Sequence, residues 1–205
     1  MIRLVLDHLA VSTINLEDGT ARVEDALGVA LSLGGQHPHY GTHNRLLGLE
    51  DGLYLEVIAI DPQAPAPSYP RWFDLDRFSG PPALTHWICR TGDIAGFVSG
   101  LPEAGIPVAL SRGDLRWQMS VPPGGALPYD NRFPPVIEWA TSDHPAARLP
   151  ASGCRLKRLI VQHPDAKSLE RDLTPYFFDE RLQFETGMSA LRAEFETPTG
   201  LRILE

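Results

Sequence analysis

The chain has 205 residues, 43% of them hydrophobic and 21% charged, and carries a formal net charge of -8 at pH 7. That length buries a core without disulfides, and the two cysteines, Cys89 and Cys154, lack the C-x-x-C spacing of zinc–thiolate sites. An acidic chain with no basic run is a poor partner for nucleic acid, and no stretch approaches the length of a membrane span.

The N-terminal run Ile2 to Val11 is broken by Arg3, Asp7 and His8. It therefore predicts a half-buried strand rather than a secretory signal, and a reducing cytoplasmic location. Asn15 or Asp18 caps a helix running to about Leu27, where Gly28 stops it. Val29 to Leu33 is a short strand. Residues 34–41, with glycines, a proline and the histidines His37 and His39, form a solvated loop. Thr42 to Leu49 and Leu53 to Ile60 are strands joined by the turn Glu50-Asp51-Gly52. The order is β-α-β-β-β over residues 1–62. Residues 63–82 form a proline-rich linker, with Trp72 and Phe73 pinning it to the body.

The pattern restarts over residues 83–145: a strand at Leu84 to Cys89, a helix at Ile94 to Ala104, a strand around Val108, another at Leu115 to Val121, and a last one at Val136 to Thr141. A weaker third copy spans residues 152–205. It has strands at Arg155 to Gln162, Arg181 to Glu185, Ala190 to Glu196 and Leu201 to Leu204, and a helix at Asp165 to Leu173. The predicted class is α+β. Paired βαβββ modules form a curved mixed sheet around a central cavity, with a degenerate third module at the C-terminus.

The duplicated modules carry matched polar residues. His8 opens the first strand of one module and His86 that of the other. Glu56 and Glu138 lie in the last strands, 56 − 8 = 48 and 138 − 86 = 52 residues on. A carboxylate in an apolar strand needs a partner, because burying it bare is costly. Strand alternation puts all four on the face away from the helices. Two imidazoles and two carboxylates there suit a divalent ion such as Zn, Ni, Co, Mn or Fe(II). In the third copy the counterparts of His8 and Glu56 fall near Arg158 and Leu204, so that copy has lost the ligands. His43 and Arg45 share a face of their strand and are candidates for holding substrate, as is Arg116 at the matching place in the second module. Trp117 is expected in the core. His144 and His163 are expected at the surface, and Cys89 as an inert core thiol.

At these residues the chain resembles the vicinal oxygen chelate superfamily, which includes glyoxalase I, extradiol dioxygenases, fosfomycin-resistance proteins and methylmalonyl-CoA epimerase. The resemblance covers residues 1 to about 142. The segment Gly41-Thr42-His43-Asn44-Arg45-Leu46-Leu47 is most similar to glyoxalase-like proteins of unassigned function. The resemblance implies ligands from the first and last strand of each module, the places of His8, Glu56, His86 and Glu138. It also implies a metal-dependent lyase or isomerase acting on a small oxygenated substrate through a stabilised enolate or oxyanion. Glu138 is the first choice of proton-accepting carboxylate and Glu56 the second. If Glu56 is not a ligand, His8, His86 and Glu138 make a two-histidine, one-carboxylate triad, the pattern of an extradiol-type dioxygenase. A metal-free protein that sequesters a small ligand is the alternative from another class. A homodimer is expected, because the third module leaves edge strands to cover.

Overall fold

The computed structural model describes residues 2–140 and 144–205; Thr141, the predicted end of the second module's last strand, lies outside them. The first module holds β1 (Val5–Ser12), α1 (Leu16–Leu27), β2 (Ser32–His37), β3 (Thr42–Leu49) and β4 (Leu53–Ile60). The second holds β5 (Ala83–Arg90), α2 (Ile94–Gly100), β6 (Ile106–Arg112), β7 (Leu115–Val121) and β8 (Val136–Trp139). Two short turns, α3 (Pro128–Asn131) and α4 (Pro145–Arg148), precede β9 (Arg155–His163), α5 (Ala166–Leu173), β10 (Leu182–Thr186), β11 (Ala190–Thr197) and β12 (Gly200–Leu204).

Local chemistry sets most of these limits. The Asn15 side chain accepts from the Asp18 amide at the start of α1, and Gly28 ends the helix in the left-handed conformation at φ 71°. The second helix is shorter than the sequence predicts. It stops at Gly100, because Pro102 has no N–H to continue the ladder, and a separate 3-10 turn carries the chain to Ala104. In the first module the second strand runs on through Gly34-Gly35 to His37 instead of ending at Leu33. The glycines form a bulge in the pairing with β3, between Leu33/Arg45 and Gln36/His43, rather than a break.

Eight strands form one mixed sheet in the order β2-β3-β4-β1-β5-β8-β7-β6. Within each module the first strand runs parallel to the last, β1 with β4 and β5 with β8, and the modules join where β1 meets β5 antiparallel. The sheet curls into a half-barrel, bringing its two edge strands, β2 and β6, within contact. The third segment keeps the β-α-β-β-β order of elements but not the wiring. Its sheet runs β10-β9-β11-β12, so its first strand lies inside, parallel to β10 and antiparallel to β11. It packs on the convex side of the large sheet. One apolar core there joins Leu9, Val57, Trp87 and Phe97 to Leu159, Val161, Ala193 and Phe195. No described helix is long and apolar enough to cross a membrane.

The concave side has a separate cluster around Ala10, Ile58, Ile88, Ile137, Trp117 and Met119. The linker covers it: Trp72 and Phe73 are buried there, with Phe73 held at φ 55°. The cavity between these layers is flanked by His8 of β1 and by Tyr54 and Glu56 of β4.

Candidate functional site

Alternation along β1 does not run uninterrupted. In its pairing with β5, Leu6 meets Cys89 and His8 meets Ile88, so Asp7 is an extra, bulged residue. Leu6 and Leu9, three apart, therefore both face the convex core, while His8 and Ala10 face the cavity. The bulge brings the Asp7 carboxylate alongside its neighbour, where Oδ1 accepts from His8 Nδ1 at 2.6 Å. The partner strand repeats the device. Ala10 meets His86 and Val11 meets Leu84, leaving Thr85 as the extra residue. Thr85 Oγ1 lies 2.9 Å from His86 Nδ1. Each histidine is thus oriented through Nδ1 by the bulged residue before it, which leaves its Nε2 for other work.

The two orienting groups differ in charge, and so do their effects. Asp7 Oδ2 also accepts from His144 Nε2 at 2.8 Å and Trp139 Nε1 at 3.1 Å, with Arg90 Nη1 3.5 Å away. Burial penalises the Asp7 carboxylate, but the bonds and charges of His144 and His8 outweigh it and hold the group well below the usual carboxylate range. Burial likewise disfavours the His8 imidazolium, yet Asp7 and Glu56 together raise its pKa. His86 has only a neutral hydroxyl beside it. Burial, aided by the Arg132 charge, pushes it down to about 3. Its Nε2 is buried without a hydrogen-bond partner among the described residues, under the Phe73 ring.

Glu56 comes from β4 opposite Ala10 and is 5% exposed. Its Oε1 lies 3.6 Å from His8 Nε2, and its Oε2 accepts from Asn44 Nδ2 at 2.8 Å. Burial raises the carboxyl pKa, but the His8 bond and charge, with help from His37 and Asn44, bring the net shift below the usual value. The Asn44 amide is fixed in this orientation because its Oδ1 accepts from the Gly35 amide at 2.9 Å and from Arg112 Nη1 at 3.1 Å. Arg112 crosses from the end of β6, its stem over Gly35, where an added Cβ would lie 2.8 Å from Arg112 Cδ. His37, buried in the same corner, contacts Trp72 and Trp117 edge-on and lies 3.5 Å from Arg112 Nη1. Burial pushes it down to about 4. The cavity has a volume of about 310 Å³ including its mouth. Its aromatic walls are Tyr54, Trp72, Phe73, Trp117 and Trp139.

The predicted quartet is therefore not assembled as a quartet. His8, Glu56 and His86 share the concave face, but Glu138 does not. In β8, Val136 packs in the convex core while Ile137 and Trp139 line the cavity, so Glu138 points to the helical side. There its Oε2 accepts from the Ile94 amide at 2.9 Å, capping α2. The register explains the difference. Glu56 lies opposite Ala10, two residues after His8, whereas two residues after His86 stands Ile88, level with Pro135. Alternation carries parity along one strand, not through the loop that separates β7 from β8.

The substrate candidates also change face. In β3, Asn44 and Leu46 pair with Ile58 and Glu56 on the concave side, while His43 and Arg45 pair with Ala59 and Val57 of the convex side. His43 lines a surface cleft with Asn15, Gln36 and Asp61. Arg116 points outward and donates to the Gly113 and Leu115 carbonyls, while its neighbour Trp117 lines the cavity. Three histidines expected in solvent are partnered instead: His37 as above, His144 on Asp7, and His163 on Asp130 at 3.2 Å. Sequence reasoning missed Asp7, Thr85, His37, Asn44 and Arg112. A signal existed for the first two, since each apolar pair flanking a polar–His doublet (Leu6 and Leu9, Leu84 and Trp87) is three residues apart.

No three His, Cys, Asp or Glu side chains among the described residues converge at metal-ligating spacing. The donor chemistry of a three-ligand set nevertheless fits a divalent ion. His86 Nε2 is buried without a partner among the described residues, and both histidines are pre-oriented through Nδ1. With Glu56 they ring the small side chain of Ala10 on neighbouring strands.

Among solved structures, a hypothetical protein from Staphylococcus aureus is 16% identical, with a TM-score of 0.63 over 91% of this chain and 88% of that one. Methylmalonyl-CoA epimerase from Mycobacterium tuberculosis is 19% identical, with a TM-score of 0.42 over 65% of this chain and 85% of its own. No curated protein matches. The glyoxalase-like domain family matches residues 6–177, nearly the whole of both modules and the start of the third segment. The chain belongs to this glyoxalase-like domain family.

Proposed function

We propose that the concave cavity is the active site of a metal-dependent isomerase or lyase, one that moves a proton at a carbon beside an oxygen function of a small molecule. The observation that carries this reading is the pairing of Asp7-oriented His8 with Glu56, both buried at the wall of one aromatic cavity. His8 Nε2, His86 Nε2 and Glu56 would hold the ion, one of Zn, Ni, Co, Mn or Fe(II). When bound, the ion supplies Lewis-acid stabilisation of the negative charge that develops on the substrate oxygen. Glu56 takes the role of base in place of Glu138. Asn44 holds Oε2, and Oε1, on the His8 side, is the oxygen that would turn from the ion to receive the proton from carbon. The aromatic walls and the linker exclude water from that transfer.

The same three donors support a second reading. With Glu138 turned away, two histidines and one carboxylate remain, the ligand pattern of Fe(II) oxygen chemistry. Metal analysis of protein purified without a histidine tag tests both. Stoichiometric metal, lost in His8→Ala and in His86→Ala but kept in Glu138→Gln, is the expected result. No metal in the wild type after loading with each of the five ions would leave a ligand-binding protein instead. Oxygen uptake by the Fe(II)-loaded protein with catechols favours the dioxygenase. Lactoylglutathione formation from methylglyoxal and glutathione above a metal-free control identifies the glyoxalase reaction itself.

A further inference from the structure

The cavity is rich in hydrogen-bond donors that have no acceptor. Trp72 Nε1 and Trp117 Nε1 are both buried without a partner among the described residues, and both rings form the cavity wall. Arg112 joins them there. Its Nη1 is engaged by Asn44 and His37, both neutral, and no carboxylate among the described residues pairs with it. A buried donor left unmade is costly, and a half-buried guanidinium beside aromatic rings favours an anion more than a surface lysine does. The Gly34-Gly35 bulge makes the place for this arginine, since any side chain at 35 would collide with its stem.

We propose that Arg112 is the anchor for a carboxylate of the substrate, and that the ligand class is a small, flat organic acid whose oxygens also accept from Trp72 and Trp117. The inference rests on the cavity being the active site, but not on its metal. Flatness follows from the indole walls of Trp72, Trp117 and Trp139. Smallness follows from how closely the aromatic walls approach one another, which leaves little free space between them. A guanidinium edge recognises a carboxylate in two-point fashion, which sets the acid's register and turns its neighbouring carbon toward Glu56, reached through Asn44. Arg112 is thus a binding residue supplied by the second module to a proton-transfer pair supplied by the first.

The test uses benzoate, trans-cinnamate and 2-oxobutanoate as probes, with benzamide and cinnamamide as neutral counterparts of the first two. Binding is followed by the indole N–H resonances of the full chain, in chelator-treated and in zinc-loaded protein. The expected result is that the acids shift the Trp72 and Trp117 signals and bind at least about tenfold tighter than the amides, the worth of one charge-assisted bond. Trp87, whose indole donates to the Arg132 carbonyl outside the cavity, stays unmoved as the internal control. Arg112→Met, which keeps the stem over Gly35, abolishes the acid preference. Arg112→Lys restores part of it, so a general loss of fold is distinguishable. Equal affinity for acid and amide, or an acid preference that survives in Arg112→Met, overturns the proposal. Binding of acids to a protein that takes up no metal sinks the metal reading alone.

Discussion

Replacing Asp7 by alanine tests the central arrangement most directly. Asp7 is fully buried and accepts from His8 Nδ1, His144 Nε2 and Trp139 Nε1 at 2.6, 2.8 and 3.1 Å. His144 and Trp139 are partly exposed and can turn to water, but the buried His8 donor cannot. Leaving that buried, charge-bearing partner unpaired costs about 3–5 kcal/mol, the range seen on breaking a buried ion pair. For a chain of this size that lowers the unfolding midpoint by roughly 10 °C. The effect has a pH signature. The Asp7 carboxyl is depressed in the fold, so its contribution is present above about pH 4 and fades as pH falls through the lower folded value. His8 is raised, so its contribution is full below about pH 6.5 and fades as pH climbs through its folded value. The gap between wild type and Asp7→Ala is therefore widest from about pH 4 to 6.5. Thermal unfolding followed by circular dichroism from acid to alkaline buffers measures it. A midpoint shift below roughly 3 °C, or a gap independent of pH, would refute the reasoning.

Three further variants separate the faces of the sheet. Glu138→Ala removes the acceptor for the Ile94 amide; it should cost about 1 kcal/mol in urea unfolding, as loss of a helix cap does, and leave metal content untouched. A loss of metal in this variant contradicts its placement. His86→Phe trades an unpartnered buried nitrogen for carbon beside Phe73, so stability should stay within about 1 kcal/mol while bound metal disappears. Retained metal removes His86 from the ligand set. Gly105 sits at φ 97°, where an added Cβ would come within 2.3 Å of the Pro122 nitrogen. Gly105→Ala should therefore destabilise by about 2 kcal/mol or more by equilibrium denaturation, and a neutral result would mean that the β6 entry relaxes easily.

Much of the frame was legible in the order of residues. The two modules, their strands, the helix stop at Gly28 and the unusual strand carboxylate Glu56 all follow from periodicity, caps and the cost of a bare charge. The histidines of β1 and β5 were legible as a matched pair, because the duplication places each two residues after a leucine, behind one polar residue. The wrongly assigned faces have one source. Glu138, His43 and Arg45 were assigned faces by counting alternately, and each count crossed a loop or began from the wrong parity. The third segment shows the same limit at larger scale, since its β-α-β-β-β order is correct while its strands pair differently.

What the sequence by itself determined is local: which stretches extend, where helices start and stop, and which polar residues sit in apolar strands. Backbone sterics and capping act over a few residues, so they leave their mark within a short window. The tertiary structure decided the bulges at Asp7 and Thr85, the face of Glu138, and the meeting of Arg112 with Asn44 and His37. Those outcomes depend on the register between strands distant in the chain and on how far the sheet curls, and both are fixed only when every strand packs at once.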